Sequence, residues 1–277
     1  MKTRKIIIEF HTPAGDKRLD GVEVKFSVDK TMSAVMNKAN IEICNLTSAD
    51  IEYLTAYTSQ FLVLQERKRI RIYAGYEEDG VGLIFDGDIV EAIPTSPPER
   101  WLKCKALSGY YANKDTISET LAGDIPVATV CYSCADLLGI PLIYEATSVK
   151  KVSDFSFTGD KQKIIRELNE IGDITAYEDD GSLVVLDKGQ PRGTLPIRRI
   201  GEDSGLIGIP KPDAMGVSLQ VFLDNSLKIG QQIYLESKII PACSGIYYIY
   251  ELQHTGDLRG QDFYTNIKAR RFDSVSA

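Results

Sequence analysis

Alternation of apolar and polar residues at period two constrains this chain more than any other feature. It runs through KIIIEF (5–10), VEVKFSV (22–28), ANIEIC (39–44), KRIRIYAGY (68–76), VSLQVF (217–222), QIYLE (232–236) and GIYYIYELQH (245–254). Residues i and i+2 share one face of a strand, so each run separates an apolar side from a polar one. A chain made of such runs buries its apolar faces in packed antiparallel sheets.

Turn chemistry divides the runs. TPAGDKRLDG (12–21) reads as the turn after the first strand, and TSPPER (95–100) as a break, since proline cannot donate to a ladder. Thr47 and Asp50 have capping-box spacing ahead of Ile51 and Leu54, which starts a short helix. FLVLQ (61–65), GLIFDGDIVEAI (82–93) and WLKCKALSGY (101–110) continue the strands.

The middle third has another period. Residues 125–140 read as a helix closed by Gly139, and Ile164, Ile165, Leu168 and Ile171 form one helical stripe stopped by Gly172. DITAY (173–177) and SLVVL (182–186) then make a hairpin around EDDG. Residues 190–201 read as a linker and GLIGIPKPDAMG (205–216) as a loop rich in Gly and Pro. The two runs flanking DNSLKIG (224–230) read as a hairpin, and TGDLRG (255–260) as the last turn. Four strands with short turns predict a closed barrel or tight sandwich there. The fold class is mainly β with an α/β insert, and no repeat at solenoid spacing is present.

The 277 residues are enough for two or three domains with real cores. No apolar run approaches the roughly 20 residues that span a bilayer, so no membrane anchor is expected. IIIEF is too short for a secretory core, which places the chain in a cytoplasm. Five cysteines at irregular spacing argue against a disulfide framework. The net charge of -7 argues against specific nucleic-acid binding; ERKRIRIY (66–73) is the one basic cluster and reads as a solvated strand face.

Catalytic constellations are not found. His11 and His254, the two histidines, lack a nucleophile elbow, and Cys131 with Cys134 has no second metal-binding pair. That C-x-x-C lies in an apolar helical pattern and reads as two buried side chains. The acidic clusters 77–79 and 178–180 each precede a glycine and read as solvated turns. No catalytic, cofactor or metal residue is assigned, and no cofactor is expected.

Taken in order, the ANIEICNL strand before a helix (39–46), AGY followed by IFDGDI (74–76, 84–89) and HTGD (254–257) resemble the baseplate hub proteins of bacteriophage tails. SFTGDKQKIIRELNEIG (156–172) resembles the α/β insert of that family. The resemblance implies two tail-tube-like β-barrel domains, residues 1–112 and 193–277, flanking an α/β unit at 113–192. It further implies a homotrimer that joins the tail tube protein to the central spike protein, contacts other baseplate proteins and forms part of a channel for DNA. Its place would be the virion tail, after assembly in the host cytoplasm. Candidate assembly residues are Arg67, Arg69 and Arg71 on one strand and Arg259 in the last turn. The channel wall is expected to be neutral to acidic, so that phosphates do not stick. A carbohydrate- or wall-binding module of a tail is the alternative, with Trp101, Tyr110 and Tyr111 as its aromatics; an enzyme is disfavoured.

Overall fold

The computed structural model describes residues 2–12, 15–55, 67–96, 98, 100–111, 115–147 and 149–271. The predicted strand FLVLQ lies outside them. The first third forms β1 (Arg4–Thr12), β2 (Gly15–Asp20), β3 (Val24–Thr31), β4 (Lys38–Cys44), α1 (Ser48–Leu54), β5 (Arg69–Tyr76), β6 (Gly80–Pro94) and β7 (Trp101–Leu107). Period two does here what it predicts: Ile6, Ile8 and Phe10 of β1 pack with Val24, Phe26 and Val28 of β3 and Ile41 and Ile43 of β4 in one core. Thr47 caps α1 by accepting from the Asp50 backbone N–H.

The middle holds β8 (Ile117–Pro126), α2 (Val127–Leu138), β9 (Leu142–Tyr144), β10 (Lys151–Gly159), α3 (Lys161–Ile171), β11 (Ile174–Asp179) and β12 (Ser182–Asp187). Both predicted helices form. Gly139 closes α2 in the left-handed region, at φ 63°, and Asp160 caps α3 by accepting from Lys163 N. Cys131 and Cys134 are wholly buried beneath α2 in a core with Ile164, Ile165 and Leu168. Burial pushes both thiols up to about 12, and all five cysteines are free. β8 was not signalled by the sequence. Its Ile117 and Leu121 share a face with Glu119 and Gly123, which blurs the alternation, and among the described residues it pairs with β10.

The last third comprises β13 (Arg198–Gly201), β14 (Leu206–Pro212), β15 (Gly216–Phe222), β16 (Gln232–Glu236), β17 (Gly245–Asp257) and β18 (Phe263–Arg271). Four local expectations are corrected. The 12–21 segment contains the charged strand β2, a polar edge that suits a sheet boundary. The Gly/Pro-rich stretch contains β14, which tolerates its prolines because it is an edge strand with a bulge. HTGD ends β17 rather than turning. β15 and β16 are not a hairpin: β15 lies between β14 and β18, while β16 lies between β13 and β17. The nine residues between them cannot act as a tight turn because Leu223, Leu227 and Ile229 are drawn into the cores.

One 13-stranded sheet runs through both β thirds, in the order β14-β15-β18-β17-β3-β4-β7-β6-β5-β1-β2, with β16 and β13 branching from β17. The crossing point is β17 against β3, antiparallel from Glu251 opposite Thr31 to Asp257 opposite Lys25. No closed barrel forms among the described residues; the pairing path has open ends. Within the sheet one strand arrangement occurs twice. β14-β15-β18-β17-β16 pair in the same order and sense as β3-β4-β7-β6-β5.

Candidate assembly surface and the joint between the units

The arginines singled out from the sequence are placed differently. Arg69 and Arg71 lie on β5, Arg67 precedes it, and Arg259 sits far off in the turn after β17. Arg67, Arg69 and Arg71 converge with Glu9, Phe10, His11 and Asp16 around a shallow cavity of about 330 Å³. None is a free cation. Arg67 Nε donates to Asp88 Oδ1 at 2.8 Å, Arg69 makes a two-pronged contact with Asp86, and Arg71 Nε reaches Asp86 Oδ2 at 3.2 Å. Arg259 pairs with Glu23 at 3.4 Å. The charges are layered: the Asp88 side chain is wholly buried, while Arg67 above it is 55% exposed. The guanidinium groups therefore lie outward of the carboxylates that pair with them.

The sequence reading missed the more elaborate polar site. In the cluster 178–180, read as a solvated turn, Glu178 and Asp179 are buried and only Asp180 keeps contact with solvent. Glu178 accepts from Lys161 Nζ at 2.6 Å with both side chains shielded from solvent. Lys30 of β3 reaches Asp180 at 2.5 Å and Asp179 at 3.6 Å. Lys228 reaches Asp180 at 2.7 Å, and Arg192 bridges Asp179 at 3.5 Å to Glu145 at 3.4 Å. The turn itself is as predicted, with Asp180 at φ 47° and Gly181 at φ 80°. What buries it comes from far away in sequence: β3 on one side and residues 224–230 on the other.

DNSLKIG is the clamp of this joint. Asn225 Nδ2 donates to the Ala74 and Gly80 carbonyls at 2.9 and 3.0 Å, which ties the C-terminal unit to the β5–β6 hairpin. A Cβ on Gly82 would lie 2.8 Å from Asn225 Oδ1, so the close approach needs glycine there. Tyr177 of β11 donates to the Ile229 carbonyl at 3.2 Å, and Arg192 N to that of Gly230 at 2.8 Å.

Burial sets the ionisation of these groups. It works against the Lys30 ammonium, but Asp179 and Asp180 outweigh it and hold Lys30 above its ordinary range. Burial likewise opposes the Asp180 charge, and Lys30 and Lys228 overcome it and draw that carboxyl down. Asp179 is pushed up, because burial and its neighbour Asp180 exceed the pull of the cations. Next to this cluster, His254 is wholly enclosed, with Nδ1 2.9 Å from Thr265 Oγ1. Burial, with Lys30 and Lys228 adding to it, pushes its imidazole down to about 3, so it is neutral. His11, by contrast, is exposed and 2.7 Å from Asp16. Among the described residues no group of three or more His, Cys, Asp or Glu could hold a metal ion. No helix is long and apolar enough to cross a membrane.

Solved structures share this arrangement of a largely continuous antiparallel sheet with a small α/β unit. The chain is similar to the 43 kDa tail protein of prophage MuSo2 from Shewanella oneidensis, at TM-score 0.65 and 9% identity over 97% of each chain. It is also similar to a tail protein of Neisseria meningitidis MC58, at TM-score 0.65 and 8% identity over 96% of each. A third likeness is to the c3393 protein of the E. coli type VI secretion system, described as structurally similar to T4 bacteriophage tail proteins gp27 and gp5. Here the TM-score is 0.60 at 8% identity, over 91% of this chain and 74% of that one. More specifically, residues 6–269 match the Baseplate hub gp41 family, and the chain belongs to that family. No curated protein matches the sequence. The chain is therefore a structural baseplate protein of the virion tail.

Proposed function

We propose that this chain is the hub that joins the sixfold tail tube to the threefold central spike, as a ring of three copies whose bore is part of the DNA ejection path. Residues 1–112 and 193–277 act as the two tube-like units and residues 113–192 as the α/β unit between them. The observation that carries this reading is the β3–β17 pairing, which sets two copies of one strand arrangement side by side in a single chain. Three such chains supply six units with threefold symmetry, as the junction between a hexamer and a trimer requires.

The polar face of the sheet supports a bore. Gln220, Asn266, Gln253 and Asp29 form a hydrogen-bonded row across four strands, at 2.8 to 3.0 Å. Beside it three lysines have acidic partners: Lys103 with Glu42 at 3.1 Å, Lys105 with Glu91 at 2.6 Å and Lys268 with Glu251 at 2.7 Å. A charge-balanced wall displaces few counterions from passing DNA and so holds it weakly. The glycan-binding alternative gains no such support. Lys25 Nζ covers the Trp101 ring at 5.2 Å, and Tyr110 packs edge-on against Tyr111.

Light scattering across a concentration series tests the proposal, first with the chain alone and then with its tube and spike proteins. A mass of three times 30.7 kDa, with a central hole in electron micrographs, is the expected result. A monomer that joins neither partner would overturn it.

A further inference from the structure

We draw no further inference here: the strongest candidate, the surface patch where the exposed side chains of Tyr234 and Ile246 pair across β16 and β17, carries none, since nothing in the structure shows what covers it.

Discussion

His254 couples the fold to pH. It stays neutral in the folded chain down to about 3, whereas an unfolded histidine takes up a proton below about 6.5. Between those values the unfolded state binds the extra proton, so stability falls as pH falls, by about 1.4 kcal/mol per pH unit. Asp180 adds to the acid end. Its carboxyl is held low by Lys30 and Lys228, so its contribution is present above about 3.9 and is lost below it. Urea midpoints are expected to decline below about pH 6.5, with the raised Asp179 carboxyl offsetting part of the decline, and His254→Gln is expected to flatten its upper part. An equal slope in the variant would mean that His254 is solvated.

At the scale of elements, residues 224–230 matter most. Replacing Asn225 by Ala removes two bonds to the β5–β6 hairpin and leaves the Ala74 carbonyl, on a buried strand, without that donor. A loss of about 1–3 kcal/mol is expected, and Gly82→Ala should cost a similar amount by wedging the same contact. Chemical denaturation checks both, and the double variant should cost less than the sum because the two changes break one contact. The three helices and most strands were legible in the sequence, since period, caps and breakers act over a few residues, but β2, β8 and β14 were not. Thr47 opens α1 and Gly139 closes α2 where their chemistry predicts. Strand partners were not legible. Nothing local in QIYLE says that β16 pairs with β13 and β17 instead of β15, and nothing in EDDG says that Lys30, 150 residues away, will bury it. The arginines were visible as a charged stripe, but the buried Asp88 beneath them required the fold.

For the whole molecule, the shared sheet and the buried ion pairs argue for one cooperative unit. Trp101, the single tryptophan, reports on the N-terminal unit, and hydrogen exchange at Leu252 and Ile267 reports on the C-terminal core. The two are expected to unfold together. Lys30→Met leaves Asp179 to Arg192 and Asp180 to Lys228 alone, and a loss of about 1–3 kcal/mol is expected in both readouts. A loss confined to one readout would show that the units fold independently.

The crossing of β3 and β17 has a mechanical meaning. Ladder bonds in an antiparallel pair lie at right angles to the strands. A pull that separates the two β units sideways therefore acts along those bonds. From Glu251 to Asp257 they are strained together instead of one after another, as they would be in peeling. A seam loaded in this way gives way only as a whole.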